Sequence, residues 1–444
     1  MSLKRFLSLS LSAGLIFGFT TFGGDFPQKP TTIVTNKNTQ TVLTLQKALS
    51  LAERNNPQIR AQYYQYKADK NAYYAQIAQR FGQVSVFYTY NQYKTPRIVA
   101  PISPTDLLTR NLPQDDQVRI YGFKYAVRLF DGCQQFFLIR AKDWEAHLSF
   151  VNYGDTVAKT KSEVKSLYYQ ILALKAQKSA LLQRKKAVEE LYKIVNTAYK
   201  IGKKSILDLL NIKAELKSVE AQISTLNAQI EALKRKLAVL LGLNNSSFEV
   251  EKVKVKPVRL NADRLLNRLI EGNYQLKEVS VQKKITDEYK KAALAEFSPK
   301  VDFVYINQRY RYDGETRSDW QYTLQVTMPI FDFGLRFFNY RRARDMERKV
   351  EQLQRLTERT VVQNFYALVK DLNSQLEVIN AYKDRLKFAE KAYKIERKKY
   401  LLGKSDVYNL LKAEALYFGA LGEYEAGIYL WASKKAQLDY MLGN

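Results

Sequence analysis

The chain carries the same plan twice. Asn56-Pro57-Gln58-Ile59 returns as Asn273-Tyr274-Gln275-Leu276, and Gln83-Val84-Ser85 as Lys300-Val301-Asp302, both 217 positions on. Leu129-Phe130-Asp131 returns as Ile330-Phe331-Asp332, and Gly202 with Leu209-Leu210 as Gly403 with Leu410-Leu411, now 201 positions on. A duplicated plan constrains every fold that the chain can adopt. The change in spacing places 16 extra residues between the strand-like runs of the first copy.

Each copy predicts a helix, two strands and two long helices separated by a break. The opening helices are expected over about Leu45 to Arg80 and Ala262 to Phe297. The long pairs are expected over Gln134 to Lys200 with Ser205 to Leu241, and over Arg336 to Leu401 with Ser405 to Leu442. A helix of about 65 residues approaches 100 Å, so it must lie against a partner along its length. The helix after Gly202 shows how. Leu209, Leu216, Ile223, Ile230 and Leu237 recur every seven residues, as do Ile212, Val219, Leu226, Leu233 and Leu240. These are the two seam positions of a heptad repeat. The second copy has a bulkier, less regular seam in Leu410, Tyr417, Tyr424, Trp431 and Leu438. An elongated soluble coiled coil, such as an adaptor or envelope spacer, would carry the same seams.

The strands add a second constraint. Trp320, Tyr322, Leu324, Val326, Met328 and Ile330 alternate with Gln321, Thr323, Gln325 and Thr327. Tyr121, Phe123, Tyr125, Val127 and Leu129 alternate with Gly122, Lys124, Ala126 and Arg128. Val84, Val86, Tyr88 and Tyr90 repeat the pattern, broken at Phe87, and Val301, Phe303 and Tyr305 begin a fourth strand. About ten alternating residues suffice for a tilted strand to cross a bilayer, and 31 Tyr and 22 Phe suit interfacial girdles. A half-buried soluble sheet shows the same alternation. In lipid, however, four strands with open edges cannot stand alone. Three chains of four strands would close a twelve-stranded barrel. The extra residues, Lys94 to Gln117, hold Pro96, Pro101, Pro104 and Pro113 and read as a loop; Asp313 to Asp319 is the shorter counterpart.

Composition narrows the function. Leu7 to Phe22 follows Lys4 and Arg5 and precedes Gly23-Gly24, the pattern of a cleaved secretory signal. The formal charge of +27 admits nucleic acid or an anionic surface as partner. Export and the helical interleaving of Lys and Arg with Glu, Ala, Gln and Leu argue against nucleic acid. Cys133 is the only cysteine and His147 the only histidine, so no metal-ligand spacing is present. No Gly-rich phosphate loop follows a strand. No cofactor, metal or catalytic group is expected, and the chain does not read as an enzyme.

The order of these motifs carries a resemblance. Leu45-Gln46-Lys47-Ala48-Leu49 before Asn55-Asn56-Pro57 resembles the opening helix of TolC family outer membrane efflux proteins. So do the turns Tyr199 to Gly202 and Tyr400 to Gly403, and the Leu-Leu seven residues after each Gly. The resemblance implies a mixed α/β membrane fold. A trimeric twelve-stranded outer membrane β-barrel, four strands per protomer, continues into a periplasmic α-helical coiled-coil barrel built from tandem repeats. It divides the chain into a signal peptide (1–23), a first repeat (24–243), an equatorial segment (244–261) and a second repeat (262–444). It implies a homotrimer in outer membrane lipid, docked to a periplasmic adaptor and an inner-membrane efflux pump or ABC exporter of a type I secretion system. Phe248 to Val258 is then an exposed strand in a girdle at mid-tunnel. Tyr121, Phe123, Tyr125, Trp320, Tyr322 and Leu324 face the membrane. Gly202, Lys203, Ser205, Gly403 and Lys404 form the docking turns at the periplasmic tip. Asp208 and Tyr400 match a tip contact that holds the duct closed. Ser405, Asn409 and Lys412 stand where basic, acidic and acidic residues are frequent, which removes an acidic ring. Helix capping by Ser205 or Ser405, with Gly202 and Gly403 just past a helix end, also accounts for those Ser and Gly residues.

Overall fold

The computed structural model describes residues 41–444, so the expected signal peptide lies outside the described residues. The first copy holds β1 (Thr41–Leu43), α1 (Leu45–Asn55), α2 (Pro57–Gln79), β2 (Gln83–Ile98), α3 (Pro104–Thr109), β3 (Gln114–Phe130), α4 (Gln134–Lys200) and α5 (Ile206–Leu240). After β4 (Phe248–Val250), the second holds α6 (Ala262–Gly272), α7 (Tyr274–Ala295), β5 (Lys300–Tyr312), β6 (Glu315–Thr327), α8 (Leu335–Leu401) and α9 (Val407–Met441). α4 and α8 are each 67 residues long, roughly 100 Å.

Each opening helix is two helices, not one. The chain turns extended at Asn56 (ψ 121°) and at Asn273 (ψ 125°), and both side chains work twice. Asn56 Oδ1 accepts from the amides of Gln58 (2.8 Å) and Ile59 (3.3 Å), while Nδ2 donates to the Leu240 carbonyl at 2.9 Å. Asn273 Oδ1 accepts from the Leu276 amide (3.2 Å), and Nδ2 donates to the Met441 carbonyl at 3.0 Å. One amide thus caps the start of a helix and also satisfies the end of another, at two termini that would otherwise leave polar groups bare. The junction is tight, because a Cβ on Gly242 would lie 2.8 Å from the Asn55 carbonyl oxygen. α2 therefore stacks end-on against α5, and α7 against α9.

The helices form a row. α4 packs on α5 and α2 along one side and on α9 and α7 along the other, while α8 packs on α9 and α7. The strands follow the same order, β2-β3-β5-β6, all antiparallel. Each strand connects directly to the helix of its own rank, so sheet and helices make one continuous wall. The irregular second seam has its reason here: α9 is covered from both sides and carries Trp431, whose indole N–H donates to the Leu372 carbonyl of α8 at 3.1 Å. The heptad seam of α5 is buried or half-buried along its whole length.

Three expectations are corrected. The proline-rich segment leaves the sheet only over 99–113, where it holds the short helix α3, because β2 and β3 run on into it past an irregularity between Gln92 and Arg97. Asp313 to Asp319 is not a loop: Asp313-Gly314 is a two-residue turn with both φ positive, and β6 begins at Glu315. The inter-repeat strand is short and mostly buried. Only Phe248–Val250 pairs, parallel to β1, and the buried Tyr168 hydroxyl lies 2.8 Å from the Leu43 carbonyl. The Lys-Val alternation that follows has no regular structure, since Tyr168 and β1 leave only three residues a partner.

The double use of Asn56 gives a discriminating test. Asn56→Ala is expected to cost about 1–3 kcal/mol, and Asn56→Asp, which keeps the cap but loses the donor and buries a charge, at least as much. Thermal unfolding of the purified protein checks this; an Asp variant as stable as wild type would mean the Leu240 contact is idle.

Candidate functional site

The register sorts the sheet into two unlike faces. Directly paired residues share a face, so rows can be read across the strands. One face holds Val127-Phe303-Leu324, then Val84-Tyr125-Tyr305-Tyr322, then Val86-Phe123-Asn307-Trp320, then Tyr88-Tyr121-Arg309-Ser318. The other holds Ser85-Lys124-Ile306-Gln321 and Arg128-Asp302-Gln325, with Arg128 Nε 2.8 Å from Asp302. All six sheet residues singled out in the sequence fall on the apolar face. Phe87, which broke the pattern, stands opposite Gly122 on the polar face. Trp320 stacks on Tyr322 at 6.1 Å, and both are exposed. Toward the helices the apolar face continues into exposed Phe81, Phe331, Phe333 and Phe337. Among the described residues no helix is long and apolar enough to cross a membrane.

The far end of the helical wall is the second part of the site. Both long-helix turns close by the same hydrogen bonds. The Gly202 amide donates to the Tyr199 carbonyl (2.9 Å) and the Lys203 amide to Ala198 (2.8 Å). Gly403 and Lys404 repeat this with Tyr400 (3.0 Å) and Lys399 (2.8 Å). This pairing needs a left-handed residue, and the glycines have φ of 71° and 72°. The repeated Tyr-x-x-Gly is thus a helix stop, with the tyrosine carbonyl as acceptor. The capping expectation holds for one serine only. Ser205 accepts from the Asp208 amide at 3.1 Å, whereas Asp406 caps α9 and Ser405 instead bonds Glu396. Lys203 and Lys404 are exposed, as are Asn409 and Lys412.

Tyr400 is buried in a cluster drawn from all four helices, with Val188, Leu191 and Val195 of α4, Ile212 of α5 and Val407, Leu410 and Leu411 of α9. No hydrogen bond joins it to Asp208 within the chain. Burial first, then the nearby Asp208 charge, raise the pKa of its hydroxyl, while Lys204 Nζ sits 4.9 Å above its ring.

One group at this end went unnoticed in the sequence. Glu414 is almost fully buried next to that cluster, and its Oε1 has no partner. Burial pushes its pKa up to about 7, against the charge of Arg184 and Arg397 and with that of Glu215 and Glu190. Arg184 does not neutralise it, because its guanidinium is bound to Glu215 at 2.5 Å. The signal was available: Glu414 interrupts the apolar series Val407, Leu410, Leu411, Phe418 at helical spacing.

The chain belongs to the outer membrane efflux protein family, whose model matches residues 48–243 and 265–444. It is accordingly an outer membrane protein with a large periplasmic portion. No curated protein matches it in sequence. Its fold is similar to that of a membrane protein from Pseudomonas aeruginosa, with TM-score 0.77, 16% identity and 91% of each chain covered. It is similar to the CmeC outer membrane channel of Campylobacter jejuni, with TM-score 0.77, 14% identity and coverage of 90% and 85%. For the outer membrane protein VceC of Vibrio cholerae the values are 0.76, 14%, 90% and 96%.

The raised Glu414 pKa fixes the sign of a pH effect. In the folded chain this carboxyl keeps its proton up to about pH 7, while in the unfolded chain it ionises near 4.5. Its contribution is full below about 4.5 and is lost as pH rises through 7, at most about 3 kcal/mol. Melting at pH 5.0 and 7.5 is expected to show wild type losing more stability with rising pH than Glu414→Gln. Equal losses would mean that the carboxyl is not buried in the assembled protein.

Proposed function

We propose that three copies of this chain close into a passive export duct, a barrel of twelve strands in the outer membrane continued by twelve helical ranks in the periplasm. The observation that carries this reading is the wall's two unfinished sides. α4 buries 17 residues and α8, of equal length, only 7. α8 leaves Leu353, Leu356, Phe388 and Ile395 exposed, and β6 beside it has an unpaired edge. On the opposite side β2 has an unpaired edge, and α5 exposes Ile206, Leu207 and Leu210. Neighbouring copies satisfy both sides at once if β6 and α8 of one meet β2 and α5 of the next. An open strand edge in hydrocarbon has no other remedy.

The apolar face then meets lipid. From Val301 to Arg309 it spans about 27 Å along the strand at ~3.4 Å per residue, which suits a tilted strand in an outer membrane. Tyr121, Phe123, Tyr125, Trp320, Tyr322 and Leu324 lie within it, and the polar face lines the lumen. The tip turns Gly202, Lys203, Ser205, Gly403 and Lys404 dock to a periplasmic adaptor linked to an inner-membrane pump or ABC exporter, which supplies the energy. The four-helix cluster around Tyr400 latches the tip, with Asp208 and Lys204 at its rim. Ser405, Asn409 and Lys412 set a neutral to basic constriction.

Two experiments test this. Detergent-extracted protein is expected to have the mass of a trimer and to conduct in planar bilayers, with open probability rising in Asp208→Ala and further in Tyr400→Ala. A soluble, non-conducting monomer would overturn the duct, and a conducting trimer indifferent to both changes would discard the latch alone. Leu324→Arg is expected to cost about 2–4 kcal/mol and to deplete the protein from outer membranes, while Gln325→Arg on the lumen face is tolerated. Equal depletion by both would mean that the apolar face does not contact lipid.

A further inference from the structure

We infer that the outer end of the sheet carries, on each protomer, a site for the phosphate groups of an outer-leaflet glycolipid. The inference rests on the membrane orientation proposed above. Beyond the row that ends the apolar band, the next row on the same face reads Tyr90, Arg119, Arg311, Thr316. Arg119 and Arg311 are directly opposed partners on β3 and β5, and Arg309 lies one row below. All three are exposed.

Two like charges directly opposed across a ladder repel, with side chains starting only about 5 Å apart, so the arrangement is unfavourable without an anion. The chain does not provide one. None of the three makes an ion pair among the described residues. The arginines of the other face do, Arg128 with Asp302 (2.8 Å) and Arg317 with Asp106 (2.8 Å). The nearest acid of β3 at the same alternation as Arg119, Asp115, is already spent: Oδ1 accepts from the amides of Asp116 (2.7 Å) and Gln117 (3.3 Å), and Oδ2 from Asp313 (2.7 Å). Among the described residues the only aromatic contact of the trio is Arg119 over the Tyr90 ring at 6.0 Å, which engages the guanidinium face and not its N–H groups.

The unpaired charges therefore sit where the tyrosine band ends, on the lipid side, at the end of the sheet away from the helices. Arginine forks bind phosphate oxygens in pairs, and two arginines at directly opposed positions of adjacent strands offer a place for one phosphate. At that height on the lipid face, the anion in reach is a headgroup phosphate of the outer leaflet.

Native mass spectrometry of the purified trimer tests this with three probes: a bisphosphorylated acylated glucosamine disaccharide, the same lipid stripped of phosphate, and phosphatidylglycerol. The bisphosphorylated lipid is expected to be retained at least tenfold more than the stripped one and more than phosphatidylglycerol. The triple variant Arg119→Gln, Arg309→Gln, Arg311→Gln is expected to lose that preference while keeping trimer mass and conductance, and Arg128→Gln is expected to keep it. Equal retention of stripped and phosphorylated lipid would overturn the site. So would an unaffected triple variant, or retention of phosphatidylglycerol at the same level. A wild-type chain that forms no membrane trimer would instead overturn the proposed duct, a result read from the mass alone.

Discussion

A backbone in hydrocarbon must satisfy every amide and carbonyl, and this chain brings to the membrane a sheet that cannot do so alone. β2 and β6 each offer an unpaired edge, and the apolar face runs across all four strands, with Asn307, Arg309 and Ser318 as polar positions in its outer two rows. The rest of the architecture follows from this. Because each strand leads into the helix of its own rank, closing the sheet also sets the helices side by side. The exposed leucines of α8 are then not a surface anomaly but the helical counterpart of an open strand edge.

The duplication works because each copy ends on the beginning of its own first helix pair. Asn56 holds the last turn of α5, and Asn273 that of α9. α4 and α8 run unbroken from the sheet to the tip, whereas the other two ranks are assembled from two pieces joined at an asparagine. A rigid wall of roughly 100 Å is obtained without requiring every helix to be that long. The copies differ where difference is cheap, at the outer end of the sheet. There the first keeps a 99–113 loop anchored by the Asp106–Arg317 pair, and the second a two-residue turn.

Much of this was legible because periodicity survives in a wall with two faces. Period two was kept at Trp320 to Val326 since one side is polar throughout, and period seven in α5 since it has one main partner, α4. It was lost in α9, which is covered on both sides. Helix interruptions were harder to read. Asn56 before Pro57 is the pattern of an N-cap followed by a first helical position, so the break in the first copy was legible, whereas Asn273 has no proline after it and the second break did not declare itself. The strand extensions into the proline-rich segment and the role of Asp406 over Ser405 depend on register and local backbone direction, which residue type alone does not set. Glu414 is different: its place in an apolar series was visible, but its burial depends on tertiary packing that brings Arg184 of α4, Glu215 of α5 and Arg397 of α8 near it.

Charge closes the argument. The chain carries +27, and some of its bases between packed helices are matched, as in Arg184 with Glu215, Lys290 with Glu347, and Lys234 with Glu249. At the two extremes they are not. Lys203, Lys204, Lys404 and Lys412 at the tip make no ion pair among the described residues, and neither do Arg119, Arg309 and Arg311 at the outer rim. An exposed ion pair adds little to a fold, so the tip lysines forgo little, whereas the opposed Arg119 and Arg311 repel one another until an anion lies between them. On the reading proposed above, the lysines of the tip face the docking partner and the arginines of the rim face the lipid headgroups.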